Sequence, residues 1–382
     1  MTLSPGATIG ILGAGQLGRM LAMAAARLGL KSHIFAPEAD APAFDVATAR
    51  TIAAYEDEEA LARFIETVDV VTYEFENVPI ACAEFLSERR PLRPGVRALA
   101  VTQDRLPEKN FLRDIGLRTA PFLAVGDAGA LVRAVASLGR PSILKTRRFG
   151  YDGKGQALVR EGSDLSALYR ALGGEPSVLE GFVRFEREVS LVAARGLGGE
   201  FAAFDLCENE HEHHILARTR LPAAVAPATE IAAREIARRI SEALDYVGVL
   251  AVEMFVVRDY DGLETLIVNE IAPRVHNSGH WTLDGALTSQ FEQHVRGVAG
   301  WPLGAPTRLG AIEMRNLIGV EAESWRDILA DPGLHLHLYG KVEARPGRKM
   351  GHVTRISPSP WGLGAQFPGQ AAGPALDNDD GL

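Results

Sequence analysis

Cysteine is nearly absent from this chain: Cys82 and Cys207 are the only two in 382 residues. That count excludes a disulfide framework, and no paired cysteine spacing of the zinc kind exists. Long apolar runs are missing as well. No stretch approaches the roughly eighteen consecutive apolar residues that a membrane-spanning helix needs. The N-terminus has no basic segment leading into a short apolar one, so no secretory signal is read there and a cytoplasmic location is expected. Positive charge is in the minority, with 40 Lys and Arg against 49 Asp and Glu for a net charge of −9. A broad basic face of the kind that binds nucleic acid is therefore not expected, and an anionic substrate must be met by a local basic cluster. What is present is a globular composition, 47% hydrophobic, in a chain too long for one ordinary core. Two or three domains are expected.

Glu253 and Glu270 are the most informative residues. Residues 250–257 and 263–271 read as strands, and Asp261-Gly262 between them is a strong hairpin signal. A two-residue turn there pairs 260 with 263 and, counting outward, Glu253 with Glu270. Carboxylates directly opposite one another have Cβ atoms about 4.5–5.5 Å apart and repel, so a cation is expected between them. A hard divalent cation, Mg²⁺ with Mn²⁺ as the alternative, takes such oxygen ligands and commonly shares them with substrate phosphates.

The first hundred residues alternate strand and helix: strands at 8–12, 31–35 and 68–73, with a helix at 16–28 after the first. That is a doubly wound α/β pattern with a parallel sheet. After Pro91, Pro94 and Gly95 comes a helix around 106–115, then strands with glycine-rich turns, such as 142–145 and 156–159. An Ala- and Arg-rich helix at 228–244, opened by Pro227, precedes the glutamate hairpin. Beyond Gly300 the composition turns loop-rich, with short strands near 335–339. The last residues, rich in Pro, Gly and Ala, are expected to form a mobile tail. The domains expected are 1–103, 104–298 with a flap subdomain at about 120–185, 299–356, and the tail 357–382.

Several motifs carry chemistry. Gly13-Ala14-Gly15-Gln16-Leu17-Gly18 follows a strand and opens a helix, as a dinucleotide fingerprint does, and Glu38 stands near the spacing of a ribose-binding acid. Alone, this motif suits an NAD-dependent oxidoreductase. Phe149 to Gln156 holds Gly150, Gly153 and Gly155 with Lys154 between two strands, and Lys145 lies just before it. Such a loop suits a flap whose N–H groups close over phosphates, although it is not a P-loop, because no helix follows. The stretch Val178 to Val183 reads as a strand leaving a hinge, followed by Glu188. Glu210 to His214 holds three histidines, but no further Cys or His set completes a zinc site, and the plain reading is a solvated polar turn. Arg274, His276, Asn277 and His280 follow the glutamate hairpin closely enough to touch a substrate. Lys341, Arg345, Arg348 and Lys349 form the densest basic cluster of the chain, where guanidinium groups could hold a phosphate.

Taken in order, these segments resemble the ATP-grasp superfamily, and within it the family of synthetases that make N5-carboxyaminoimidazole ribonucleotide in purine biosynthesis. The resemblance runs from about Thr8 to Thr354 and is carried by GAGQLGRM at 13–20, TYEFENVP at 72–79, TQDR at 102–105, FGYDGKGQ at 149–156, EGFVRFEREVS at 180–190, NEIAPRVHNSGHWT at 269–282 and RPGRKMGH at 345–352. It implies an ATP-grasp fold behind a Rossmann-like N-terminal domain, with a small C-terminal domain. It implies ATP between two lobes, with Arg105 and Lys145 on phosphates and the loop Gly150, Tyr151, Asp152, Gly153, Lys154, Gly155, Gln156 as the flap. Glu180, Gly181, Phe182 and Val183 would meet the adenine, Glu188 the ribose, and His211 would line the same pocket. Glu253 and Glu270, with Asn269 beside them, would hold Mg²⁺. The glycine-rich loop at Gly15, Gln16 and Leu17 would face 5-aminoimidazole ribonucleotide instead of NAD, with Glu76, Asn277, Arg345, Arg348 and Lys349 also on that substrate. Asp152, Arg274, His276 and Lys341 would surround the amine and the carboxyl group. Either Asp152 or His276 could take the amine proton. Bicarbonate is the implied third substrate and a homodimer the implied assembly. Two rivals stand beside this reading, the dehydrogenase and a nucleotide-binding regulator without turnover.

Overall fold

Three sheets organise the residues described by the computed structural model, 1–150 and 153–357. Tyr151, Asp152 and residues 358–382 lie outside them. Thr8–Leu12 (β1), Lys31–Ala36 (β2), Ala49–Ile52 (β3) and Val70–Tyr73 (β4) form a parallel sheet in the order β3-β2-β1-β4. β1 and β4 are apolar and buried nearly throughout because both faces of a doubly wound sheet are covered. The helix Gln16–Arg27 leaves β1 and buries Leu17, Met20, Leu21, Ala24 and Ala25, one stripe at helical spacing.

A smaller antiparallel sheet follows. Phe122–Val125 (β5), Ser142–Thr146 (β6), Gln156–Val159 (β7) and Ser177–Gly181 (β8) pair in the order β5-β8-β6-β7. Leu131, Val135 and Tyr169 from its helices cover Val125, Leu144 and Leu179, a core separate from the others. Lys145 pairs with Gln156, so the glycine-rich loop between them hangs from the open end of the β6–β7 hairpin.

The third sheet is the largest. Arg187–Arg195 (β9), Phe201–Ala203 (β10), Cys207–Glu212 (β11), Ile215–Leu221 (β12), Gly248–Arg258 (β13), Glu264–Ala272 (β14), Ala311–Ile318 (β15), Leu334–Leu338 (β16) and Lys349–Ser357 (β17) pair antiparallel. The order is β14-β13-β9-β11-β12-β15-β17-β16, with β10 on β9. Beyond Gly300, β16 stands where short strands were expected near 335–339, the loop-rich composition conceals β15 and β17, and β15 joins the sheet through β12. Ser357, expected to open the tail, is the last residue of β17.

The helix Gln290–Ala299 ties the parallel sheet to the large one. The His294 ring bridges them, with Nε2 2.8 Å from Thr72 Oγ1 on β4 and Nδ1 accepting the Val249 N–H of β13 at 3.1 Å. Complete burial pushes its pKa down to about 3, so the ring stays neutral. Arg93 adds a 2.6 Å bond to the Val298 carbonyl.

The glutamate hairpin reaches the expected pairing by an unexpected route. Residue 260 does not pair with 263. The turn has three residues, Tyr260-Asp261-Gly262, with Gly262 at φ +81° and its N–H on the Asp259 carbonyl at 3.1 Å. The Asp259 carboxylate accepts from the N–H groups of Asp261 and Leu263 and tightens it. This is a type I turn closed by a left-handed glycine, and its register is one residue short of the two-residue turn. A bulge at Asn269 restores the difference: Met254 faces Val268, yet Glu253 faces Glu270.

Candidate active site

The helix Arg105–Asp114 begins where Asp104 caps it, its carboxylate accepting the Leu106 N–H at 3.0 Å and pairing with Arg147. Arg105, Glu108 and Lys109, at spacings of three and four, face the cleft between the small and large sheets. Arg105 Nη1 lies 3.0 Å from Glu270 Oε2, and its Nη2 3.4 Å from the carbonyl of Gly150 at the root of the glycine loop. Lys109, almost fully buried, lies 3.2 Å from Glu180 Oε1, and Lys145 donates to Glu180 Oε2 at 3.1 Å. One buried carboxylate thus holds two lysines. The N–H groups of Gly181 and Phe182 are already bound to the Pro121 and Pro141 carbonyls. Val183 continues the chain out of the strand, and Phe185 stacks on Phe255 at 4.6 Å between ring centroids.

Glu253 and Glu270 stand side by side at the other wall. Glu253 Oε1 is 2.9 Å from His276 Nε2. Burial raises the Glu253 carboxyl, but the hydrogen bond and charge of His276, with His211 and Arg274 beyond, bring it down to about 2. Between the carboxylates in sequence, the bulge residue Asn269 turns its side-chain oxygen into a buried position with no hydrogen-bond partner. Two carboxylate groups and an orphaned amide oxygen form the hard-oxygen donor set that Mg²⁺ takes. Among the described residues no group of three His, Cys, Asp or Glu could hold a metal.

His211 pairs with the Glu188 carboxylate across β11 and β9. Burial depresses the imidazolium, but the Glu188 partner outweighs it and carries the His211 pKa above its ordinary value. His213 and His214, both at positive φ, are the two turn residues between β11 and β12, so the three histidines serve a hairpin and one ion pair and form no metal cluster. Gly153, Lys154 and Gly155 lead back to β7, where the Gly155 carbonyl accepts the Thr146 N–H at 2.7 Å.

On the side of the parallel sheet, the glycine-rich loop is closed around the protein's own anion. Both oxygens of Glu74 accept backbone N–H groups, one from Gly15 and one from Gly18. A Cβ at Gly15 would come within 2.7 Å of that carboxylate, which is why the loop needs glycine. The helix N-terminus that would cradle a pyrophosphate in a dehydrogenase is thereby filled, and the NAD reading loses its site. Gln16 stays half-buried at the rim, whereas the Leu17 side chain belongs to the core. Arg274 grips Glu76 with a two-pronged ion pair. Asn277 exchanges amide hydrogen bonds with Asn316 at 2.9 and 2.7 Å. Lys341 Nζ donates to the Lys349 carbonyl at 2.7 Å, Arg348 donates to the Glu343 carbonyl at 2.9 Å, and Arg345 pairs with the Glu343 carboxylate at 2.5 Å. Tyr339, buried in the same core as Leu17, anchors this basic loop beside the glycine loop.

Sequence reasoning missed Glu74, Glu108 and Lys109. The last two were legible as helical neighbours of Arg105, whereas Glu74 carries no local pattern. Glu108 accepts the Ile271 N–H at 2.7 Å, and burial with the charge of Glu270 pushes its carboxyl up to about 8. A carboxyl whose folded pKa is raised binds its proton more tightly in the folded state, so stability falls as pH rises from the unfolded value toward about 8. Glu108→Gln, which still accepts that N–H, is expected to flatten this loss; urea melts of both proteins at pH 5 and 8, without metal, check it.

Comparison with known proteins follows the same segments. Residues 6–103 match the ribonucleotide synthetase preATP-grasp domain, 110–291 the ATP-grasp domain, and 313–363 the phosphoribosylaminoimidazole carboxylase C-terminal domain. The chain is 52% identical over 359 residues to the N5-carboxyaminoimidazole ribonucleotide synthase of Brucella melitensis, covering 94% of this chain and 98% of that one. The crystal structure of the synthetase from Thermus thermophilus is 47% identical and superposes with a TM-score of 0.84 over 91% of this chain and 93% of that one. The Aspergillus clavatus synthase, crystallised with ADP and 5-aminoimidazole ribonucleotide, is 29% identical with a TM-score of 0.86 over 93% and 95% of the two chains.

Proposed function

The chain belongs to the N5-carboxyaminoimidazole ribonucleotide synthase family of ATP-grasp ligases, and from that premise we propose how its own residues divide the work. It is an ATP-dependent carbon–nitrogen ligase that carboxylates 5-aminoimidazole ribonucleotide to the N5-carboxyamino product in purine biosynthesis. The observation that carries the assignment of roles is the cleft in which Glu253 and Glu270 face each other while Arg105, Lys109 and Lys145 converge from the other side.

ATP lies in that cleft. Lys145, held by Glu180, and Arg105, held by Glu270, meet its phosphates. The Glu180 carboxylate is committed to its two lysines, so the chain from Gly181 to Val183 offers the adenine backbone groups and apolar surface instead. Glu188 and His211, already paired, meet the ribose. The loop from Gly150 to Gln156, in which Tyr151 and Asp152 lie outside the described residues, closes over the phosphates. Glu253, Glu270 and Asn269 would hold Mg²⁺, whose charge offsets that of the phosphates. Bicarbonate is the carboxyl source. One of its oxygens bonds to the γ-phosphorus as the bond to the bridging oxygen of ADP breaks, giving carboxyphosphate. The ribotide amine then bonds to the carboxyl carbon, phosphate leaves, and the amine proton passes to a base. A closed loop keeps water from that acid anhydride.

The ribotide faces the glycine loop. Gly15 has already given its N–H to Glu74, so contact there falls to Gln16 and to the backbone. Arg348 and Lys349, with Arg345 and Lys341 around them, meet the ribotide phosphate, while the Arg274–Glu76 pair and Asn277 line the way to the amine. The protein works in the cytoplasm as a homodimer, and its two buried cysteines remain thiols. Arg348→Ala is expected to raise the KM for the ribotide about 10- to 150-fold, the worth of one charged hydrogen bond, and to leave the KM for ATP nearly unchanged. Equal effects on both would give Arg348 a structural role. The reading as a whole is tested by ADP release, which should require both the ribotide and bicarbonate; a dehydrogenase or a silent binder gives none.

A further inference from the structure

The two lysines on Glu180 differ in what they can reach. Ile143 faces Glu180 across β6 and β8, and Lys145 stands two residues further along β6. Lys145 and Glu180 therefore project from the same face of the small sheet as diagonal neighbours. The Lys145 side chain keeps 10% exposure, and that of Arg105 keeps 17%. Lys109 arrives from the opposite direction, on the helix Arg105–Asp114 one turn beyond Arg105, with its side chain only 1% exposed. Lys145 and Arg105 are thus open to a ligand in the cleft, whereas Lys109 is sealed behind Glu180.

The two contacts also differ in kind. Lys145 donates a hydrogen bond to Glu180 Oε2 at 3.1 Å. Lys109 Nζ lies 3.2 Å from Glu180 Oε1, yet among the described residues neither atom has a hydrogen-bond partner. Lys109 therefore contributes charge rather than a directed bond. Burial pushes the Glu180 carboxyl up, but Lys145, Lys109 and Arg105 outweigh it and hold the group below its ordinary value, so it stays ionised. Burial pushes the Lys145 ammonium down, Glu180 opposes this, and the charges of Arg105 and Lys109 add to it. If phosphates drew Lys145 away from a Glu180 with no other partner, a buried carboxylate would stand uncompensated beside a polyanion, which is costly. Lys109 removes that cost, because it stays where it is.

We infer that Lys109 is a positioning residue for ATP binding: it is the standing counter-charge of Glu180, and by neutralising that carboxylate it frees Lys145 to turn to the phosphates. Lys109 touches no substrate and acts only through Glu180 and Lys145. The inference rests on the ATP site proposed above and gives a role to a side chain that meets no ligand there.

The test is the affinity of the full-length protein for ATP with Mg²⁺, measured by calorimetry in a cycle of Lys109→Met, Glu180→Gln and the double variant. Methionine keeps most of the length of lysine and removes the charge. In Lys109→Met the carboxylate keeps Lys145, so ATP affinity should fall about 10- to 150-fold, the worth of one charged hydrogen bond, with the KM for the ribotide nearly unchanged. In Glu180→Gln no carboxylate holds Lys145, so adding Lys109→Met should cost ATP almost nothing. A loss of equal size in both backgrounds is what independent effects give, and it would mean that Lys109 acts on ATP or on the fold directly, overturning the inference. Normal ATP affinity in Lys109→Met would overturn it too. So would a Lys109→Met chain that did not fold, since the remaining pair of Glu180 and Lys145 is expected to hold that core. A protein that bound ATP but released no ADP with ribotide and bicarbonate would defeat the proposed function alone, and the four affinities would still decide the role of Lys109.

Discussion

Glu270→Gln is expected to abolish turnover while the fold stays intact. The side chain is partly open to solvent at the cleft wall, 38% exposed, and glutamine has nearly its shape, so the packing around β14 barely changes. What disappears is one negative charge. Arg105, whose Nη1 sits 3.0 Å from that carboxylate, loses its counter-charge and is left with neutral acceptors, the glutamine amide oxygen and the Gly150 carbonyl. On the proposed reading the metal also loses one of its two carboxylates, and an amide oxygen is a far weaker ligand for a hard divalent cation. The loss falls on charge stabilisation during phosphoryl transfer, where removing a single preorganised group costs about 10²–10³-fold. A drop of at least that size in ADP release, at unchanged Tm, is the expected result. Near-normal ADP release would take the hairpin out of the active site.

The same hairpin shows what a sequence can and cannot disclose. The hairpin was legible from the glycine at its turn, but the pairing of Glu253 with Glu270 came out as expected only because a turn one residue longer than read is offset by the bulge at Asn269. A type I turn with a left-handed glycine and a two-residue turn use the same Asp-Gly letters. The bulge at Asn269 that restores the register has no residue signature of its own, since any buried polar residue in a strand could pair normally. The Rossmann-like unit was legible because its strands and helices alternate with strong periodicity. Of the strands beyond Gly300, β16 was legible near 335–339, whereas β15 and β17 were read as loop, because β15 takes its register from β12, nearly a hundred residues earlier, and β17 from β15.

Long-range electrostatics was the other blind spot. The fingerprint Gly13 to Gly18 carries the same letters whether its helix N-terminus cradles a cofactor phosphate or Glu74, fifty-six residues beyond Gly18. Lys109 and Lys145, thirty-six residues apart, become one feature only when Glu180 is folded between them. Ser190, Asn209 and Thr219, joined by hydrogen bonds across β9, β11 and β12, look in sequence like three unrelated polar residues. Each gains meaning from a neighbour on another strand.

The choice of base gives the last prediction. Both ring nitrogens of His276 already touch protein groups, Nδ1 the Ser278 hydroxyl at 2.9 Å and Nε2 the Glu253 carboxylate at 2.9 Å, so neither is free for the ribotide amine. That leaves Asp152, which lies outside the described residues and whose role rests on its place in the glycine loop. Asp152→Asn keeps the size of the side chain and the turn preference of the loop but cannot take a proton from the amine. ATP and ribotide should bind at near-normal affinity, while carboxylated product falls about 10²–10⁴-fold, the usual worth of general acid–base help. ADP formation should fall less, because phosphoryl transfer to bicarbonate precedes deprotonation of the amine, and the anhydride then decays in water. The ratio of product to ADP, measured in one assay, should therefore drop well below that of the unmodified protein. Product at the normal rate would give the proton to His276 instead.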